Sequence, residues 1–179
     1  MRKMRYISIL FLILLAGQHS QGQTTENPKE NPQQESIDTF QDKLNYQYMN
    51  MPLEKKRFLI QYQTDTFRIE STYLRNSENC INETGTTKCL EEKAEAYNKL
   101  VTKYYMMLNQ LLNEDERRAL KQSQRTWLSY KMGERDLLIS IDGTNIASDD
   151  ENLQREALIY LNITQSRLSL LKEYILLKF

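Results

Sequence analysis

Lys88–Leu112, KCLEEKAEAYNKLVTKYYMMLNQLL, is the stretch that decides the fold. Leu90, Ala94, Tyr97, Val101, Tyr104, Leu108 and Leu111 recur at alternating steps of four and three. That spacing lays a single apolar seam along a helix, and a seam of this kind needs a partner helix to cover it. Leu100 and Met107 add a second stripe, so more than one neighbour is expected.

Working outward, Asn113 with Glu116 forms a capping box that starts a new helix directly after the first has ended. A turn that short predicts an antiparallel hairpin. The new helix runs to about Ile141 and carries Leu120–Asp136, LKQSQRTWLSYKMGERD, around the only tryptophan, Trp127. Leu120, Trp127, Tyr130 and Leu137 are placed on one side by helical spacing. Trp127 is read as a core anchor, Gln124 as a tie to a neighbouring helix end, and Arg125 as the partner of a carboxylate. The other reading of the block is a face that meets a partner.

Asp142–Asp150, DGTNIASDD, interrupts the pattern, and Ser148 with Glu151 forms a second capping box. The last helix carries Ala157, Leu161, Thr164, Leu168, Leu171 and Ile175, a second four-three seam whose one polar member is Thr164. Upstream, Ser36 to about Asn50 reads as a helix with Ile37, Phe40, Leu44 and Tyr48 inward. Pro52 suits the first turn of a longer helix, Leu53 to Arg75. The expected class is all-α: an antiparallel bundle of about four to five helices with a central hairpin.

The chain begins with a basic cluster (Arg2, Lys3, Arg5), a mostly apolar run from Tyr6 to Ala16, and the small residues Ser20 and Gly22 before Gln23. This is the pattern of a secretory signal over residues 1–22. Residues 23–35 hold Pro28 and Pro32 among polar side chains and read as a flexible linker. The single helical domain is then 36–179. The expected localisation is exported, periplasmic or secreted, with no membrane span once the signal is removed.

Removing residues 1–22 takes three of the 24 basic residues and none of the 24 acidic ones, a formal charge of −3. An acidic chain without a basic run is not built for nucleic acid. The one histidine, His19, leaves with the signal. Ser-His-Asp and Cys-His catalysis and histidine-ligated metal sites are thereby excluded. No catalytic, cofactor-binding or metal-ligating residue is assigned, and the chain is read as no enzyme. Carboxylates such as Glu91, Glu92 and Glu95 read as a solvated helical face. Cys80 and Cys89, the only cysteines, read as one disulfide in an exported chain.

From Cys80 to Ile175 the chain resembles the LprI-type lysozyme-inhibitor domain of small exported bacterial proteins. That pattern has an early cysteine pair, a Tyr-Asn-Leu region, a Gln-Arg-x-Trp-x-x-Tyr/Phe-Arg-Asp block and a closing helix with Thr-x-x-Arg. Here these fall on Cys80 and Cys89; on Ala96, Tyr97, Asn98 and Leu100; on Gln124, Arg125, Trp127, Tyr130 and Lys131; and on Thr164 and Arg167. The chain departs from it in two ways. A second cysteine pair is missing, with Arg135 near its first position and no cysteine on the last helix, and Met132 replaces the aspartate.

The resemblance implies a protein partner, a lysozyme, but assigns no inhibitory residue. Mild acidity suits a basic target, and Asp142, Asp149, Asp150 and Glu151 form the candidate partner loop. The alternative is a non-catalytic structural or assembly module of the envelope.

Overall fold

The structure, a computed structural model, describes residues 35–76, 80, 83–142 and 149–179. The expected signal, all of the expected linker but Glu35, and residues 143–148 with the expected Ser148 cap lie outside the described residues. Five helices follow in order: α1 (Ile37–Gln47), α2 (Leu53–Arg75), α3 (Glu83–Leu111), α4 (Glu114–Asp142) and α5 (Asp149–Leu176). No strand is present among the described residues, and none of their helices is long and apolar enough to cross a membrane.

The helix starts follow local chemistry. Ser36 Oγ accepts the Thr39 amide at 3.1 Å and caps α1. Pro52 stands at the cap of α2 rather than within its first turn. Asn113 and Glu116 exchange both capping-box bonds at 3.0 Å each, so α3 reverses into α4 without a loop to spare. Lys178, just beyond α5, reaches the same Glu116 carboxylate at 2.5 Å. Lys178 and the Asn113 amide together hold that carboxyl below its usual range.

The most extensive packing joins α3 to α5. Their N-terminal parts share one wall, with Glu91, Ala94 and Glu95 beside Leu153, Glu156 and Ala157, so the two helices run in the same direction. Both four-three seams are consumed here. Leu90 to Leu108 on α3 and Ala157 to Ile175 on α5 are buried, and only Leu111, at the end of α3, is exposed. Thr164 is fully buried (0% exposed) and donates its hydroxyl to the Tyr160 carbonyl at 2.7 Å, so it brings no unpaired group into the seam. Helix α4 is the return between the two parallel helices and lies along α5.

On the other side, α2 covers α3 through two carboxylates. Asp65 accepts from Tyr104 Oη at 2.7 Å and pairs with Lys103; Glu70 accepts from Tyr97 Oη at 2.6 Å and from Lys93 at 2.7 Å. Phe58 and Tyr62 close around Tyr104, with ring centroids 5.8 and 5.3 Å away. Phe40 of α1 stacks on Phe67 of α2 at 4.1 Å, and Gln63 donates to the Tyr48 hydroxyl.

The Cys80–Cys89 disulfide is formed, with Cα atoms 6.0 Å apart. Because α3 begins at Glu83, Cys89 sits more than one turn inside it. The bridge therefore fastens the α2–α3 connection onto α3, rather than joining two helix ends. In the chain-entropy picture a loop this short contributes about 2–3 kcal/mol.

Burial, followed by the bonds to Glu70 and Asp65, raises the pKa of Tyr97 and Tyr104 above its ordinary value. The unfolded chain then loses these protons first. Stability should be level up to about pH 10 and fall beyond it. Thermal melts across that range should show the fall, and it should be less steep in the Tyr97→Phe/Tyr104→Phe protein.

Candidate functional site

Helix α4 meets the rest of the bundle along a narrow strip. Leu120 is buried, Trp127 is half-buried against the core, and most of the remaining surface faces solvent. Tyr130 and Leu137 do not share that strip. They lie about 60–80° around the helix from Trp127, and with only α5 beneath it the strip is too narrow to reach them. Leu128, Met132 and Ile139 flank its other side. Together with Ile141 these six residues are between 45% and 67% exposed.

The strip is held by polar chemistry centred on Arg167. Its side chain is buried (4% exposed), yet no ion pair joins it to a carboxylate among the described residues. Nε and Nη2 both donate to Gln124 Oε1, at 3.1 and 2.9 Å, and Nη1 donates to Ser123 Oγ at 3.1 Å. The guanidinium carbon stands 5.9 Å from the centre of the Trp127 ring. Lys131 lies over two rings, Tyr160 at 3.6 Å and Trp127 at 4.9 Å. Trp127 thus has two cations near its ring, which its electron-rich face attracts. Burial lowers the pKa of Arg167, but a guanidinium keeps its proton at any physiological pH.

Four residues singled out in the sequence therefore converge: Gln124, Trp127 and Lys131 from α4, and Arg167 from α5. The other four do not join them directly. Thr164 lies in the α3–α5 seam, Tyr97 serves the α2–α3 contact, Arg125 faces outward, and Tyr130 is exposed beside the cluster. Two expectations need correction. Gln124 ties down the middle of α5 rather than a helix end, and Arg125 has no carboxylate partner among the described residues. The sequence reading missed Ser123 and Tyr160, which only the crossing of α4 and α5 brings to Arg167 and Lys131.

Beside this cluster, between α4 and α5, an open groove of about 640 Å³ has Trp127, Tyr130, Ile163, Arg167 and Leu170 among its walls. Further along the same crossing, Arg135 pairs with Glu156 at 2.5 Å. Arg135 stands near the place where the resemblance implies a cysteine, so an ion pair links α4 to α5 near the missing staple. With Arg135 largely exposed, it contributes at most about 1 kcal/mol.

Asp142 ends α4, Asp149 and Asp150 begin α5, and Glu151 is exposed in its first turn. Leu137, Ile139 and Ile141 before the loop, and Leu153 and Leu158 after it, are exposed apolar residues. Residues 131–160 carry seven acidic and three basic side chains, more than the whole negative excess of residues 23–179. Among the described residues no group of three His, Cys, Asp or Glu side chains is placed to hold a metal ion.

Residues 77–171, from the start of the disulfide loop to near the end of α5, match the family described as lysozyme inhibitor LprI. The chain belongs to the LprI family. No curated protein and no solved structure matches it. The matched region contains the α3–α5 seam, the Arg167 cluster and the acidic end; α1 and α2 lie before it.

The geometry separates inward from outward members of the motif. Gln124→Leu should cost about 1.5–3 kcal/mol, because it leaves two N–H groups of a buried guanidinium without an acceptor. Arg125→Ala, on the exposed face, should stay within about 0.5 kcal/mol. Urea unfolding of the two variants beside the unaltered protein checks both.

Proposed function

We propose that this LprI-family chain is an exported, non-catalytic inhibitor of a lysozyme or similar cell-wall hydrolase. The end of α4 and the start of α5 form its contact surface. Family membership supports the class of target. The observation that carries the surface is the coincidence, at one end of the α4–α5 pair, of exposed apolar side chains with the acidic excess of residues 131–160. Apolar area supplies most of the free energy of a protein contact, while opposite charge steers the encounter and excludes wrong partners. A basic hydrolase offers the complementary charge.

Helix positions explain why the acids are tolerated there. Asp149, Asp150 and Glu151 fall in the first turn of α5, where the helix dipole favours negative charge. Their reversal should therefore cost about 1 kcal/mol or less each, and a change in binding can be read apart from a change in folding.

Export is part of the same reading. Secreted material should begin at Gln23, and intact mass measures it; a protein retaining residues 1–22 defeats the signal assignment.

In a lysozyme-activity assay the exported protein should inhibit. Asp149→Lys/Asp150→Lys should associate more slowly and lose much of its salt dependence while its melting temperature changes little. Leu137→Ser/Ile139→Ser, both exposed, should weaken inhibition chiefly through faster dissociation. Unchanged inhibition in both folded variants would remove this surface. Absence of inhibition by the unaltered protein would leave the same surface to a structural partner in the envelope.

A further inference from the structure

We propose that the groove between α4 and α5, floored by Arg167, is a binding site for a carboxylate-bearing saccharide. The inference does not rest on the lysozyme reading and concerns a different surface from the acidic end.

The first observation is charge. Residues 23–179 carry 24 acidic and 21 basic side chains, yet this groove has one formally charged residue in its walls, and it is a cation. Arg167 is buried, and its direct partners, Gln124 and Ser123, are neutral. A guanidinium has five N–H donors. Gln124 takes one on Nε and one on Nη2, and Ser123 takes one on Nη1. One N–H on each Nη remains for an incoming acceptor. A buried cation without a counter-charge is electrostatically incomplete, and an incoming carboxylate completes it.

The second observation is the character of the walls. Trp127 and Tyr130 supply flat aromatic faces, and Tyr130 is more than half exposed and free to cover a ligand. Sugar rings present an apolar C–H face that lies against such a surface. Around the rings stand short hydroxyl and amide side chains, Ser123, Thr126, Asn162 and Ser166, suited to ring hydroxyls and an acetamido group. Trp127 Nε1 is shielded and lacks a hydrogen-bond partner among the described residues, so this wall residue carries an unsatisfied donor. The groove's volume, about 640 Å³, lies in the range of small-molecule sites. A purely apolar ligand would strand these polar groups, and a bare anion would leave the aromatic faces unused.

Trp127 is the only tryptophan, so its fluorescence reports directly on the groove. The exported protein is titrated with N-acetylmuramic acid, N-acetylglucosamine and acetate, read by Trp127 fluorescence and by calorimetry. The acidic sugar should saturate both signals, and the neutral sugar should bind about tenfold more weakly or worse, lacking the charged bond. Tyr130→Ala, on the exposed rim, should weaken the acidic sugar roughly threefold to tenfold with an unchanged melting temperature. Asn162→Ala, also exposed, should weaken it as well. Equal binding of both sugars would overturn the role of Arg167. Acetate binding as well as the acidic sugar would reduce the groove to an anion site and overturn the saccharide assignment. No heat and no fluorescence change with the acidic sugar, or full binding in both rim variants, would overturn the proposal outright.

Discussion

Everything in this bundle depends on the parallel seam between α3 and α5. Two helices that run the same way cannot be joined by a short turn, so the chain must spend a third helix on the return. That helix is α4, and its position follows: it leaves α3 at the Asn113 capping box and crosses back along α5 to deliver the chain to the start of α5. Because α3 already occupies the seam face of α5, only a strip of α5 is left for α4. A long helix held by a strip has most of its circumference in water. The exposed apolar flanks of α4 are thus a consequence of topology.

That constraint also explains the chemistry at Arg167. A narrow helix contact buries little apolar area, so α4 needs directional bonds to fix its rotation and height. A guanidinium with a planar fork does this well. Its three bonds to Gln124 and Ser123, with Trp127 beside it and Lys131 over Tyr160, set the register of α4 against α5. Neutral acceptors hold the arginine without quenching its charge, so the groove keeps a cation with no carboxylate in its walls.

The bundle was legible in the residues because the helix starts and both seams are local patterns. Sparse glycine and proline, the capping box at Asn113, and the four-three spacing from Leu90 and from Ala157 each act within a turn or two. The pairing of the two seams was less legible, since the short turn at Asn113 draws attention to α4 as the neighbour of α3. Spacing alone placed Tyr130 and Leu137 beside Trp127. Their exposure depends on how wide a neighbour covers the helix, which no local pattern records. In the same way, Gln124 and Arg167 were marked by the motif, but their bond spans 43 residues and exists only because of the crossing. The acidic residues at the α4–α5 end were visible from the start; the apolar side chains around them were not, because periodicity assigns such residues to a core.

The size of a protein contact bears on where a partner must sit. A stable interface covers about 800 Å² on each partner. The half of α4 from Leu128 to Ile141 is about 20 Å long and about 10 Å across, so its exposed flanks fall well short of that by themselves. A partner that stabilises the complex has to continue onto a second element, and the nearest continuation is the start of α5, where Leu153 and Leu158 are exposed. Such a footprint brings the acids at the helix ends to its rim, the place where charge governs the rate of encounter more than the depth of binding. The Arg167 groove lies further along the crossing and shares Tyr130 with that footprint, so a bound protein and a bound saccharide would use adjoining places on the same two helices.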